Sequence, residues 1–187
     1  MKLIERKYYL NRLIDLKGTP DIKIISGIRR CGKSSLLLAY IEHIKRTDDN
    51  ANIIFIDFFN IQFEGLKEYH HLNDYVENNF FPDKNNYVFI DEVQLCKGFE
   101  IAVNSLYSSG KYDLYITGSN AFLLSADLAT LFTGRYIELH IFPFSFAEFC
   151  QYYDSENDID RFFDNYTVKA VFPARIFIKT NRTESDI

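Results

Sequence analysis

The sequence predicts an α/β fold in three layers, a parallel sheet with helices on both faces. Three observations carry the expectation. Short apolar runs of strand type alternate with helical patterns along most of the chain. The run Asn52-Ile53-Ile54-Phe55-Ile56-Asp57-Phe58-Phe59 is nearly all apolar, as expected of a strand buried on both faces. Residues Ile24 to Ser35 read as strand, glycine-containing turn and helix, in the order G-x-x-x-x-G-K-[ST].

From the N-terminus, Leu3 to Leu16 carries Leu3, Tyr9, Leu10, Leu13 and Ile14 among charged residues, the pattern of an amphipathic helix. Lys17-Gly18-Thr19-Pro20 ends it, because glycine suits a helix stop and proline cannot continue a helix. Asp21 to Ser26 is a short apolar strand, and Ser34 to Ile44 a largely buried helix. The turn between them has the residue order a polyphosphate requires. Gly27 and Gly32 let the backbone turn its N–H groups inward and approach closely. The helix beginning near Lys33 adds its N-terminal dipole and free N–H groups. Lys33 is expected to reach the β- and γ-phosphates, and Ser34 to place its hydroxyl on Mg²⁺. Gly27, Arg30, Cys31, Gly32, Lys33, Ser34 and Ser35 are the candidate nucleotide contacts.

The apolar strand from Asn52 follows a polar loop, and Asn60 just past its end reads as a loop residue. Leu66 to Phe80 is weakly helical. His70 and His71 lie there without matching ligand residues, so they read as surface or half-buried side chains rather than metal ligands. Asn86 to Ile90 is again a strand, and it runs into Asp91-Glu92. That is the second motif. Such a strand delivers Asp91 to the metal held by Ser34, and Glu92 one residue on could polarise an attacking water as general base. A solvated acidic turn is the competing reading of the pair.

Gly98 to Ser109 has helical spacing and stops at Gly110. Tyr112 to Thr117 is a strand ending in Gly118-Ser119-Asn120. Ser119 and Asn120 are candidates both for touching the γ-phosphate or attacking water and for capping a helix. Ala126 to Phe132 reads as a short helix, Tyr136 to Ile141 as a strand, and Pro143 to Phe149 as the start of a helix. There Ser145 and Glu148 have capping-box spacing. Asp154 to Asp160 is an acidic loop, Ile159 to Tyr166 a last short helix, and Asn181 to Ile187 a polar end.

With 187 residues the chain suits one domain with a small appendage: a core over 1–150 and a partial lid or linker over 151–187. The net charge of −5 argues against a surface devoted to nucleic acid. Cys31, Cys96 and Cys150 have no zinc or disulfide spacing and suit a reducing compartment. The charged N-terminus is unlike a signal peptide, and no apolar run is long enough for a membrane helix, so a cytoplasmic protein is expected.

Five motifs in order resemble the AAA+-like branch of the phosphate-loop ATPases, and within it a prokaryotic group described as predicted ATPases. They are G-I-R-R-C-G-K-S-S at 27–35, F-I-D-E-V-Q at 89–94, I-T-G-S-N at 116–120, T-G-R at 133–135 and F-P-F-S-F-A-E-F at 142–149. The resemblance implies a strand order of 5-1-4-3-2, ATP and Mg²⁺ as ligands, Asp91 on the metal and Glu92 on the water. It puts a sensor at Thr117 to Asn120. Arg135 matches an arginine of the group, which would act either as a finger toward a neighbouring subunit's nucleotide or in a structural salt bridge. Ala170-Val171-Phe172-Pro173 stands where the group tends to show Gly-Gly-Phe-Pro, and the chain stops soon after. A truncated or degenerate member, or a fragment, is therefore expected, whose protein or DNA partner would engage a missing C-terminal domain. The alternative to an ATPase is a non-catalytic nucleotide-binding or interaction module. A GTPase is disfavoured because no N-K-x-D segment exists, and a small-molecule kinase because Glu92 suits water activation.

Overall fold

The computed structural model describes residues 6–118, 132, 134–153, 163 and 166. Five parallel strands form one sheet: β1 (Ile22–Gly27), β2 (Ala51–Asp57), β3 (Asn85–Asp91), β4 (Asp113–Thr117) and β5 (Tyr136–Ile141), in the spatial order β2-β3-β4-β1-β5. Read from the other edge this is 5-1-4-3-2, as the family resemblance implies. Helices α1 (Lys7–Asp15) and α2 (Lys33–Thr47) cover one face, and α3 (Tyr69–Asn78) and α4 (Phe99–Ser109) the other. A final helix, α5 (Phe146–Tyr153), follows β5.

The period of two along a strand divides the side chains into two cores. Ile24, Ile56, Ile90 and Ile116 pack with Val76, Phe99 and Leu106 on the α3–α4 side. Ile25, Phe89, Tyr115 and Ile141 pack with Leu13, Leu37 and Tyr40 on the α1–α2 side. Because every strand is parallel, all five C-terminal tips gather on one edge of the sheet, where ligands bind in open α/β folds.

Two expectations change. The strand from Asn52 is the edge strand β2, not one buried on both faces. Its Ile54 and Ile56 are buried while Ile53 and Phe55 are only half-buried. The weak helix expected over Leu66 to Phe80 is present as α3, starting three residues later than expected, and an unforeseen 3₁₀ turn, Ile61–Leu66, precedes it, which Asn60 caps by accepting from the Gln62 amide at 3.1 Å. His70 and His71 are exposed on α3. The expected helix from Leu3 begins, among the described residues, at Lys7. Ser119, Asn120, the expected helix at Ala126 to Phe132 except Phe132, most of the 151–187 appendage and Ala170 to Pro173 lie outside the described residues. Among the described residues no helix is long and apolar enough to cross a membrane.

The capping box is present in full. Ser145 N–H donates to Glu148 Oε2 at 2.8 Å, and Glu148 N–H donates to Ser145 Oγ at 3.2 Å. At the opposite edge of the sheet Asp48, just after α2, ties three segments together. It accepts from the Tyr87 phenol at 2.6 Å, Lys17 Nζ at 3.1 Å and Asn85 Nδ2 at 3.0 Å. The Tyr87 hydrogen bond, opposed by burial and helped by Asn85, Lys17 and the Asn50 amide, holds its carboxyl at about 2. A depressed carboxylate stabilises the fold above its ordinary pKa and loses that contribution as pH falls through the folded value. Asp48→Asn is therefore expected to lower Tm by about 2–4 °C at pH 7, a screened contribution of about 1 kcal/mol. The gap from wild type should shrink between about pH 4 and pH 2. Thermal melts across that range check it; a gap that stays constant refutes the assignment.

Candidate functional site

The loop between β1 and α2 is built by backbone conformations that few residues tolerate. Gly27 has φ +152, and a Cβ there would meet the Ile141 carbonyl oxygen at 2.5 Å and Cys31 Sγ at 2.6 Å, so only glycine lets the loop lie against β5. Gly32, at φ +102, precedes the first turn of α2. Arg30 has φ 69 without being glycine. Ile28, Arg29 and Arg30 are exposed at the loop's tip, while Gly32, Ser34 and Ser35 are half-buried. Cys31 is buried in the α1–α2 core, so its side chain serves packing and only its backbone belongs to the loop. Burial pushes its thiol up, against the pull of Lys33 and Arg6. Lys33 Nζ lies inside the turn, donating to the Gly27 and Ile28 carbonyls at 3.1 and 3.2 Å.

Register brings the acidic motif to this loop. β4 lies between β1 and β3, with Ile25 opposite Thr117 and Ile116 opposite Ile90. Two strand spacings, about 10 Å, therefore separate the start of the loop from Asp91, and Thr117 stands between them. Ser34 at the start of α2 closes that distance, lying near enough to the Asp91 carboxyl to favour its charged form. The buried Thr117 hydroxyl donates to Asp91 Oδ1 and accepts from the Glu92 amide at 3.1 Å. Burial pushes the Asp91 carboxyl up. The Thr117 hydrogen bond and the nearby Ser34 hydroxyl oppose this, and the nearby charges of Glu92 and Asp57 add to it.

Glu92 is almost fully buried and left-handed at φ 55, an uncommon conformation for a non-glycine residue. Its carboxylate accepts from Gln94 Nε2, and the other end of that amide, Gln94 Oε1, is buried with no hydrogen-bond partner among the described residues. Gln94 stands in the F-I-D-E-V-Q motif, but nothing in its spacing marks it as the partner of Glu92, and the family resemblance puts Thr117 only within a broad sensor segment.

The oxygen-only donor set around Ser34 and Asp91 fits Mg²⁺. That ion binds through one or two protein oxygens plus phosphate and water rather than in a cage of protein ligands. A cation there would also favour the ionised form of a carboxyl that burial disfavours. Arg135 does not join this site. Its carbonyl accepts from Ile22 N–H at 2.8 Å, which puts it at the start of β1, the far end of the sheet from Gly27. Its exposed guanidinium donates to Asn104 Oδ1 at 3.2 Å and lies 5.9 Å from the Tyr107 ring, both on α4.

A parallel sheet in this order, with glycine loop and acidic tip on either side of one strand, defines a phosphate-loop protein of the AAA+ type. The chain belongs to a family of AAA domains, whose model matches residues 19–150. It is 37% identical over 177 residues to an uncharacterized protein of Haemophilus influenzae, covering 92% of this chain and 44% of that one. The chain thus spans less than half the length of that relative. Among solved structures it is similar to AMPPCP-bound DnaA from Aquifex aeolicus, at TM-score 0.60 and 18% identity, over 94% of this chain and 64% of that one. It is also similar to the Aeropyrum pernix Orc1 protein in complex with DNA, at TM-score 0.60 and 9% identity, over 80% and 48% of the two chains. At these identities the likeness to solved structures is one of fold.

Proposed function

We propose that this chain binds ATP with Mg²⁺ and hydrolyses it slowly. The observation that carries the reading is the approach of Ser34 to the Asp91 carboxyl, which brings the start of α2 to the acidic strand tip with Lys33 one residue away. The inward N–H groups of the loop, the first turn of α2 and Lys33 would hold the phosphates. Ser34 and Asp91 would hold Mg²⁺, which neutralises charge on the phosphate oxygens when bound. Glu92 would take the proton of an attacking water, with Gln94 fixing its carboxylate and Thr117 its backbone. Ser119 and Asn120, two and three residues past β4 in sequence, would contact the γ-phosphate or the attacking water. The AMPPCP carried by the DnaA neighbour supports an adenine nucleotide.

Arg135 lies at the wrong end of its own sheet for its own nucleotide. It is proposed as a finger toward a neighbour's site in a homo-oligomer, a role that makes turnover rise with protein concentration. The DNA bound by the Orc1 neighbour motivates DNA, alongside a protein, as a partner. A non-catalytic nucleotide-binding module is the second reading, favoured by the engagement of the Glu92 carboxylate with Gln94. Calorimetry of ATP with and without Mg²⁺ tests the main reading. Wild type is expected to bind with Mg²⁺ dependence, and Lys33→Ala to lose at least about tenfold in affinity, the worth of one charge-assisted contact. Equal binding by both proteins defeats the reading, and binding without turnover selects the second.

A further inference from the structure

Arg6 stands just before α1 and far from the loop in sequence, yet its guanidinium is one of the most fully used groups in the molecule. It is 6% exposed, and all five of its N–H donors have acceptors. Nε and Nη2 bind the two oxygens of Glu148 at 2.8 and 3.2 Å, a bidentate pair. Nη1 donates to the Phe142 carbonyl at 2.8 Å and to the Cys31 carbonyl at 3.2 Å, and Nη2 reaches the Pro143 carbonyl at 3.5 Å. The Tyr9 and Phe144 rings lie 4.4 and 5.2 Å from its central carbon. One buried cation thus joins the start of α1, the phosphate loop, the exit from β5 and the first turn of α5.

The Cys31 carbonyl is the informative acceptor. Cys31 lies between two positive-φ residues, Arg30 at 69 and Gly32 at 102, where the loop turns. The Cys31–Gly32 peptide is trans, so its N–H points opposite to its carbonyl. A guanidinium that fixes the carbonyl on the α5 side therefore aims the Gly32 N–H the other way. That N–H is one of the groups through which the loop would hold a phosphate. The relation also runs in reverse. An anion on the Gly32 N–H polarises the peptide and strengthens the carbonyl's bond to Arg6, because bonds in such a chain reinforce one another. Beyond Arg6 the next group is Glu148, which is also the carboxylate of the α5 capping box.

We propose that Arg6 is a positioning residue for the phosphate loop and that the Arg6–Glu148 pair transmits nucleotide occupancy of the loop to helix α5. The inference rests on the nucleotide reading above and adds to it a regulated element on the far side of the loop. The substitution Arg6→Lys does not restore the link, because one ammonium has three donors and cannot span a bidentate carboxylate and two carbonyls together.

The test is amide hydrogen exchange over residues 146–153 in the full chain, with and without Mg–ATP, together with nucleotide affinity by calorimetry. In wild type, Mg–ATP should slow exchange across α5 at least about threefold. Glu148→Gln should retain nucleotide binding and lose that slowing. Arg6→Gln and Arg6→Lys, measured where each is folded, should weaken Mg–ATP about 10- to 100-fold, the range for a hydrogen bond made by a charged group. A residue that only supported the fold would lower Tm and leave the affinity of the folded fraction unchanged. Wild type that binds Mg–ATP with no change in α5 exchange overturns this proposal and leaves the nucleotide reading standing. Folded Arg6→Gln with wild-type affinity does the same. Wild type that binds no nucleotide overturns both. The wild-type exchange experiment decides the matter even if no variant folds.

Discussion

Glu92→Gln is expected to cut ATP turnover by about 10²–10⁴-fold while leaving Mg–ATP affinity within a few-fold of wild type, the range contributed by a positioned general base. The split follows from what the two ends of the residue do. The backbone of Glu92 is held in the left-handed region by the hydrogen bond its N–H donates to Thr117 Oγ1, and glutamine can make the same bond. The proposed phosphate contacts come from the loop and α2, which the substitution does not touch. Only proton acceptance is lost, because a neutral amide is a far weaker base than a carboxylate. Gln94 supplies an internal comparison. Gln94→Ala removes the amide that orients the Glu92 carboxylate but keeps the carboxylate itself, so it should slow turnover by about tenfold, less than Glu92→Gln. Steady-state phosphate release with parallel calorimetry reads both quantities. Turnover by Glu92→Gln at the wild-type rate removes the general-base assignment, and a loss of affinity matching the loss of rate makes Glu92 a binding residue instead.

Much of the fold was legible because its signals are local. The apolar strands, the loop glycines and the Ser145–Glu148 box each declare themselves within a few residues. The family resemblance then supplied the strand order, which local pattern alone does not fix. The status of β2 was not legible. An apolar run such as Ile53 to Ile56 looks the same at the edge of a sheet as at its centre, since the difference lies in what packs beyond it. The conformation of Glu92 was hidden for a related reason, as left-handed geometry has a sequence signature for glycine and not for glutamate. Arg6 and Glu148 are 142 positions apart, and no spacing rule connects them. The contacts that assemble the acidic tip are of the same long-range kind: Thr117 meets Asp91 and Glu92 because β4 lies beside β3, and Ser34 approaches Asp91 from the far side of β4.

The two loop glycines should fail in different ways, and the contrast separates the loop's structural role from its binding role. At Gly27 the obstacle is steric. The new methyl of Gly27→Ala would sit 2.5 Å from a backbone oxygen of β5, which cannot turn aside as a flexible side chain could, and 2.6 Å from the buried Cys31 sulfur. Overpacking of this kind costs about 1–3 kcal/mol or more, and the positive φ adds to it, so Tm should fall by about 5–12 °C. At Gly32 nothing among the described residues lies within 4 Å of the added methyl, and the difficulty is φ +102. Gly32→Ala should therefore cost about 1–2 kcal/mol and lower Tm by about 2–6 °C. The strain is relieved by rotating the peptides on either side, and those peptides carry the N–H groups proposed to face the phosphates. Nucleotide affinity should then fall at least about tenfold in a protein that remains folded. Differential scanning calorimetry and nucleotide titration on the two variants read the contrast. If Gly32→Ala melts lower than Gly27→Ala, the β5 contact is not what makes position 27 glycine. If Gly32→Ala binds nucleotide as wild type does, the backbone of this turn is not the phosphate cradle.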